Sequence, residues 1–313
     1  MGNQPDHALR LNPPLRLPGG ALLLAMAGLV QAGSIPVPNG SFESPVTPFI
    51  SLNIAPWQRT SQPGWWDPNT SGDWTTLAGI FKNTPPGSVD HVDNCDGNQA
   101  AWLFATPEAG WFQDYHSSPN HDFDARYEVG RSYQLTVGIL VGGMSSGGGI
   151  KPGATLELSL YYRDAASDQV NVAVTTITNS LSVFSNSTHL LDYAVHVPTV
   201  RAEDPWAGQH IGILFLSTVA PELQGGYWDL DNVRLISVLA PTLADAVHTN
   251  GQFHFTLQSE PGMVCEILAS TNLALPASDW VSLATLTNTT GTIPWVDTDA
   301  NFNQRFFRAR QVP

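Results

Sequence analysis

The chain has 313 residues, of which 27 are acidic and 13 are basic, so its formal net charge at neutral pH is −14. Nucleic acid is therefore excluded as an expected partner, because the sequence offers no basic patch to neutralise phosphates apart from three arginines near its end. Two cysteines, Cys95 and Cys265, form neither a disulfide framework nor a C-x-x-C metal motif, and whether they pair is left open. The three late arginines are Arg305, Arg308 and Arg310.

Residues 1–32 have the pattern of a signal peptide. Arg10 and Arg16 precede an apolar run, Ala21 to Val30, which ends in the small-residue sequence Val30-Gln31-Ala32. That run is about half the roughly 20 residues that a membrane-spanning helix needs, and no later apolar stretch is longer. We therefore expect a secreted or cell-surface protein without a membrane span in its mature part.

Strands dominate the rest of the predicted structure. Residues 34–124 are rich in Pro, Gly, Asn and Trp, which indicates short strands joined by large ordered loops. Alternating apolar residues then predict half-buried strands, and no helical period persists beyond about two turns. Those alternating segments are 133–141, 156–162, 170–174, 191–197 and 211–215. The pattern is typical of an all-β sandwich.

The segment GGYWDLDNVRL, residues 225–235, places two carboxylates inside an otherwise apolar strand. Its apolar alternation slips by one residue between Leu230 and Val233, which predicts a β-bulge. Asp229 and Asp231 project from the same side of an extended chain, where two like charges require a cation, a partner or water. The segment therefore suggests a metal site or a catalytic acid.

Tryptophan is concentrated in the first 239 residues, which hold eight of the ten. Indole rings stack on the C–H faces of sugars, and neighbouring carboxylates accept hydrogen bonds from hydroxyls, so loop tryptophans beside acids favour glycan binding. The alternative is that each of these indoles packs in the core. The predicted ligand-binding residues are Trp65, Trp66, Trp74, Trp111, Asp67 and Asp73.

Four short motifs carry a resemblance over residues 34–238. They are IPVPNGSFESP at 35–45, PGWW at 63–66, DGNQAAWL at 96–103 and DNVRL at 231–235. Together they resemble the jelly-roll carbohydrate-binding modules of the galactose-binding-like class and the related Stig cyclases. The resemblance implies a jelly roll whose first and last strands pair.

The resemblance also implies a calcium site and, in one branch, a reaction. The modules hold a structural calcium, which maps to Glu43 and Asp231, with Asp96 as a third acid or a neighbouring carbonyl donor. Calcium prefers six to eight oxygen ligands, which carboxylates and carbonyls of a bulged strand can supply. The Stig cyclases are calcium-dependent enzymes that cyclise prenylated indoles with a last-strand Asp as general acid, which maps to Asp229. Their tyrosine partner is missing, because the corresponding segment here reads AAWL, residues 100–103.

Residues 240–313 read as a second, smaller β-sandwich module. The sequences ASTNL and RFFRAR resemble small C-terminal modules of secreted proteins from Verrucomicrobia-type bacteria. That resemblance implies a surface-attachment or spacer role. The predicted organisation is a signal peptide at 1–32, a jelly roll at 33–239 and the small module at 240–313.

The sequence thus favours a secreted, calcium-stabilised protein that binds a carbohydrate or another extracellular polymer without catalysis. The first alternative is a Stig cyclase-like enzyme with Asp229 as proton donor. The second is a structural surface or matrix protein. An enclosed aromatic pocket around Asp229 would favour the enzyme, and a shallow groove with exposed indoles would favour glycan binding.

Overall fold

A computed structural model describes residues 33–88, 91–142, 149–180, 182–184, 188–299, 302 and 304–312. The predicted signal peptide and residues 143–148 of the Gly-rich segment 142–153 lie outside these residues. Within the described part of the chain, no helix is long and apolar enough to cross a membrane.

Twelve antiparallel strands form two facing sheets, as the all-β jelly-roll prediction requires. One has seven strands in the order β10-β7-β12-β5-β4-β2, with β1 pairing on β12; the other has the order β3-β6-β11-β8-β9. The strands are β1 (Gly33–Ile35), β2 (Ile50–Ser51), β3 (Gln58–Arg59), β4 (Ala78–Lys82), β5 (Gln99–Phe104), β6 (Gly110–Gln113), β7 (Arg131–Gly142), β8 (Thr155–Arg163), β9 (Gln169–Thr178), β10 (Leu191–Val197), β11 (Gly212–Ser217) and β12 (Tyr227–Leu239).

The described helices are short. One α-helical turn, α1 (Pro68–Ser71), is followed by a 3-10 turn at Trp74–Leu77, and further 3-10 turns occupy Pro221–Leu223 and Ala277–Asp279. The first and last strands of the jelly roll pair, with Gly33 opposite Ser237. The predicted pairing of the two ends is therefore confirmed, but it runs through Gly33–Ile35. The segment NGSFE, residues 39–43, is a turn in which Asn39 and Phe42 have positive φ.

An aromatic cluster fills the core between the two sheets. The rings of Phe42 and Trp111 meet edge to face at 5.3 Å between centroids, and Trp57 stacks on Phe215 at 5.2 Å. All four side chains are buried, and Trp228 of β12 is buried as well. Burial of such large rings is the main stabilising contribution available to a sandwich of short strands.

Strand β12 changes phase where the sequence predicts it. Its register against β7 shifts between Asp231 and Arg234, and Asn232 has a positive φ of 54°. Because of this bulge, Leu230 and Val233 both reach the core, although their spacing breaks the period of two. The predicted bulge is confirmed.

The C-terminal segment forms two three-stranded antiparallel sheets, ordered β13-β14-β17 and β16-β15-β18. A small core of Leu257, Met263 and Cys265 lies between them. Cys95 and Cys265 are both free thiols. The assignment of these sheets to a separate domain stays a prediction. The strands are β13 (Thr242–Thr249), β14 (Gln252–Gln258), β15 (Val264–Ser270), β16 (Val281–Thr287), β17 (Thr292–Asp297) and β18 (Phe306–Gln311).

Candidate functional site

The outer face of the seven-stranded sheet carries the candidate site. Residues directly opposite each other in antiparallel strands project from the same face, and Gly79, Trp102, Asp229 and Leu140 form one such row. Trp228, on the other face of β12, is in the core. Asp229 therefore points away from the core, as the alternation along β12 demands.

A glycine makes room for the indole at the centre of this row. A Cβ atom on Gly79 would overlap the six-membered ring of Trp102, so only glycine allows the ring to lie flat across β4. The indole N–H of Trp102 donates to the carbonyl of Thr76 at 3.4 Å, which fixes the ring beside Asp229. Trp102 is 9% exposed.

A cavity of about 400 Å³ opens over Trp102 and Asp229. Its walls are mainly aromatic, and the rings of Phe104 and Tyr227 lie 5.7 Å apart between centroids. Asp229 is 6% exposed, so its carboxylate lies in a largely dehydrated environment. The lining residues are Phe49, Ile50, Thr76, Phe81, Lys82, Thr84, Trp102, Phe104, Tyr227 and Asp229.

The rim of the cavity is apolar and open. Phe49 is 75% exposed and Ile50 is 50% exposed, and both belong to the segment that adds β2 to the edge of the sheet. On the wall, the hydroxyl oxygen of Thr84 is buried and has no hydrogen-bond partner among the described residues. The site therefore combines a large apolar surface with a few polar groups, among them Lys82, Thr84 and Asp229, a combination suited to a mainly hydrophobic ligand.

The predicted ligand-binding surface of loop tryptophans is only partly present. Trp65 is 50% exposed and donates its indole N–H to Glu108 at 2.8 Å. Trp66 is half-buried, and Trp74 is 5% exposed. Trp111 lies within β6 and is fully buried, so its placement in a binding loop was wrong. Gly and Pro neighbours suggested loops, but long-range strand pairing buries the ring.

Both acids predicted to contact sugar hydroxyls cap short helical turns. Asp67 accepts a hydrogen bond from the backbone N–H of Asn69 at the start of α1. Asp73 accepts one from the N–H of Thr75 at the next turn, and this bond is the main cause that lowers the pKa of Asp73. Their evident role is to cap exposed backbone donors.

Glu43 and Asp231 meet on one turn, residues 95–99. Oε1 of Glu43 accepts the N–H groups of Asn98 and Gln99, each at 2.7 Å. Oδ2 of Asp231 accepts the N–H of Asp96 at 2.6 Å. The strand β5 that carries Trp102 starts from this turn, so the two carboxylates brace the base of the cavity wall.

The electrostatics of this turn favour a cation. Asp231 is fully buried, and desolvation raises its pKa to about 7. Within the described residues it forms no ion pair with Lys, Arg or His, and neither does Glu43. Burial also raises the pKa of the Cys95 thiol, and the nearby carboxylates of Asp231 and Glu43 raise it further. The carboxylates of Asp231 and Glu43 therefore both lie near the Cys95 thiol, and the region around the turn carries negative charge.

The structure brings the carboxylates of Glu43 and Asp231 to this turn, and a calcium ion held by them would need further oxygens from backbone carbonyls. Across the ranges that the structure describes, no group of three or more His, Cys, Asp or Glu side chains is arranged to hold a metal ion. Asp96 is exposed, and the contact it makes with Asp231 runs through its backbone N–H. A hard cation with flexible geometry accepts such a mixed set of oxygens.

Residues 33–236 match the family model described as HpiC1 cyclase. The chain belongs to the HpiC1-like family. This match covers the jelly roll except the last three residues of β12, and it includes the cavity and the turn at 95–99. No curated protein sequence matches this HpiC1-like chain.

A solved structure shares the fold, and others show a weaker likeness. A cyclase from Fischerella sp. TAU in complex with 4-(1H-indol-3-yl)butan-2-one is 24% identical, with 67% of this chain and 100% of that chain covered and a TM-score of 0.50. The Stig cyclase Fisc from the same organism is 23% identical and has a TM-score of 0.48. The likeness covers 66% of this chain and 98% of Fisc. The family 22 carbohydrate-binding module of Clostridium thermocellum Xyn10B is 11% identical and has a TM-score of 0.33. The likeness covers 64% of this chain and 96% of the module.

Several residues of the cavity wall were not predicted from the sequence. Phe81 belongs to a short strand with no clear alternation, and Phe49 comes from a loop. For two others the alternation of a strand is a usable signal. Phe104 lies two residues after Trp102 in β5, and Tyr227 lies two residues before Asp229 in β12, so each projects from the same face as its neighbour.

Proposed function

We propose that the chain is a cyclase that binds an apolar, aromatic substrate in the outer-face cavity, with Asp229 as the proton donor. The observation that carries this proposal is the nearly buried carboxylate of Asp229 in an aromatic-walled cavity of about 400 Å³. Membership of the HpiC1-like family supports the same reaction class. Carbohydrate binding without catalysis, which the tryptophan content favours, is our second candidate.

The size and lining of the cavity suit a prenylated indole. Ligand sites of a few hundred Å³ enclose most of a small organic molecule. The rings of Trp102, Phe104 and Tyr227 offer faces on which an indole can stack. The same faces attract positive charge, which assists a cationic intermediate without placing a nucleophile near it.

The proposed reaction is an acid-catalysed ring closure. The carboxyl proton of Asp229 is transferred to an alkene carbon of the substrate, and the resulting cation is attacked by the π-electrons of the indole. Loss of a proton from the closed ring restores the aromatic system and returns the acid. Positioned proton transfer of this kind contributes about 10²- to 10⁴-fold to the rate.

The chain differs from the Stig cyclases at one point of the proposed site, because Trp102 occupies the strand from which their tyrosine projects. Trp102 gives its only donor to Thr76, so we assign it the role of a wall. We propose that Thr84, whose hydroxyl has no hydrogen-bond partner among the described residues, donates a hydrogen bond to the substrate in place of that tyrosine. A Thr84→Val variant should then raise the Michaelis constant more than it lowers the turnover number.

We propose calcium as the structural cofactor, held by Glu43 and Asp231 with carbonyls of their surroundings. When bound, the ion supplies positive charge that neutralises two carboxylates. The chain's own contribution is the set of hydrogen bonds from the turn at 95–99, which fixes β5 relative to β12. We further propose that the protein is exported, with residues 1–32 as its leader, and that residues 240–313 fold as a separate module.

The test combines binding and turnover. Titration calorimetry with 4-(1H-indol-3-yl)butan-2-one and turnover of a prenylated indole should be compared for the wild type, Asp229→Asn and Asp168→Asn. Asp168 is an exposed acid of the turn between β8 and β9, in the opposite sheet, and serves as the control. We expect Asp229→Asn to bind within about threefold of the wild type and to lose at least 10²-fold in turnover. Equal turnover in Asp229→Asn would refute the assigned role.

Carbohydrate binding is the second candidate, and one observation favours it. The half-exposed ring of Trp65 lies beside Trp66, with ring centroids 5.8 Å apart. A single exposed indole gives a small platform, so we expect at most weak binding. A glycan-array screen with and without a chelator tests this candidate, and binding that survives Trp65→Ala would place the sugar elsewhere.

A further inference from the structure

A second cleft, of about 730 Å³, lies where the jelly roll meets β18. Three arginines line it, Arg201, Arg308 and Arg310, and its described lining contains no acidic residue. In a chain with 27 acidic and 13 basic residues, this is an uncommon concentration of positive charge. A cleft lined by one sign of charge raises the local concentration of ligands of the opposite sign.

Two of the three guanidinium groups are available to a ligand. Arg310 is engaged, because it forms an ion pair with Glu266 at 2.6 Å. Arg201 and Arg308 are exposed, and neither forms an ion pair among the residues that the structure describes. Arginine presents paired donors that match a carboxylate, which favours an acidic ligand over a neutral one.

The walls of the cleft are held together by specific contacts. Arg131 of β7 forms an ion pair with Glu260 at 3.2 Å, and the same carboxylate accepts the N–H of Leu239 at 3.1 Å. Glu260 lies between β14 and β15, so these bonds tie the C-terminal sheets to the end of β12. Val200, next to Arg201, exchanges backbone hydrogen bonds with Gly130 and Arg131, and Arg308 lies on β18, which pairs with β15. Both arginines therefore project from hydrogen-bonded backbone.

The other residues of the cleft indicate which kind of polyanion it suits, a polysaccharide or a nucleic acid. Apolar groups such as Leu243 alternate with the hydroxyl of Thr242 and the amide of Gln311, a mixture that suits sugar rings with their hydroxyls. Phe307 is the aromatic residue of the lining, and its ring is already stacked on Phe253 at 5.1 Å. One face of the Phe307 ring is thus covered, which leaves little aromatic surface in the described lining on which a nucleic-acid base could stack.

We propose that this cleft binds a linear polysaccharide that carries carboxylates, through Arg201 and Arg308. The site is separate from the cavity around Asp229 and does not depend on any catalytic activity. Because the contacts are ionic and exposed, binding should weaken strongly as salt is added.

The experiment is affinity electrophoresis and calorimetry of the full chain with polygalacturonate. Neutral dextran and a single-stranded oligonucleotide serve as the other probes. The test variant is the double substitution Arg201→Gln with Arg308→Gln. Its matched control is Arg126→Gln with Arg234→Gln, which removes two partly exposed arginines outside the cleft and leaves the same net charge.

We expect the wild type and the control variant to bind polygalacturonate, and the cleft variant to bind at least tenfold more weakly. Dextran should not bind, and 0.5 M salt should abolish the interaction. An equal loss in both double variants would mean that net charge alone is responsible, which overturns the site. Absence of polygalacturonate binding, or oligonucleotide binding of equal strength, would also overturn the proposal.

Discussion

Replacing Asp231 by Asn should stabilise the calcium-free protein at neutral and alkaline pH. Burial raises the pKa of Asp231 from its ordinary value near 3.8 to about 7, so its carboxylate destabilises the folded state when no cation is bound. This difference in pKa corresponds to ~4 kcal/mol of destabilisation of the ionised folded state. Because the folded state holds the proton more tightly than the unfolded state, stability falls as pH rises from about 4 to 7 and is constant above that range.

The Asn side chain removes this penalty at a known cost. Asp231 accepts hydrogen bonds from the N–H groups of Asp96 and Asn232, and an amide has only one oxygen to offer. Both N–H groups are partly buried, and leaving one of them without a partner costs about 1–3 kcal/mol. The net expectation is that Asp231→Asn is more stable than the wild type by about 1–3 kcal/mol at pH 8 in a chelator.

The assay is urea unfolding at pH 5 and pH 8, in a chelator and in excess calcium. The wild type should lose stability between pH 5 and pH 8 in the chelator and recover it with calcium, whereas Asp231→Asn should respond to neither change. Asp168→Asn, an exposed acid, should behave as the wild type. A wild type with the same stability at both pH values in the chelator would refute this reasoning.

Three further predictions concern the cavity and the core. Gly79→Ala should displace Trp102 and weaken indole binding at least tenfold by calorimetry, whereas Gly64→Ala, where nothing lies within 4 Å of the added methyl, should bind normally. Trp111→Ala should lower the free energy of unfolding by about 3–5 kcal/mol in urea, because the ring is fully buried. Burial opposes the ionisation of Asp114, but hydrogen bonds from Tyr161 and the nearby charge of Arg163 outweigh it and lower its pKa. Its contribution is present above pH ~4 and lost below, so Asp114→Asn should flatten the acid limb of a stability-against-pH curve.

Local patterns in the sequence were enough to predict the bulge in β12. The slip between Leu230 and Val233 is a change of parity within a single strand, and it requires no knowledge of distant residues. The pairing of β1 with β12 was implied only by resemblance, since no local pattern reveals which strands become neighbours.

Burial of individual tryptophans could not be predicted in the same way. Trp111 follows a glycine and precedes a polar stretch, yet its strand is paired on both sides, by Arg59 and by Phe215. The cavity was also hidden, because its walls combine β4, β5 and β12 with a loop that includes Phe49. Such a surface exists only after strands far apart in sequence have paired.

The most direct test of the central claim is a crystal structure of the full chain with 4-(1H-indol-3-yl)butan-2-one. The proposal predicts the indole between Trp102 and Phe104, with the ligand's side chain within reach of Asp229. Density for the ligand only at Trp65, or an empty cavity at a ligand concentration that saturates the calorimetric signal, would contradict it.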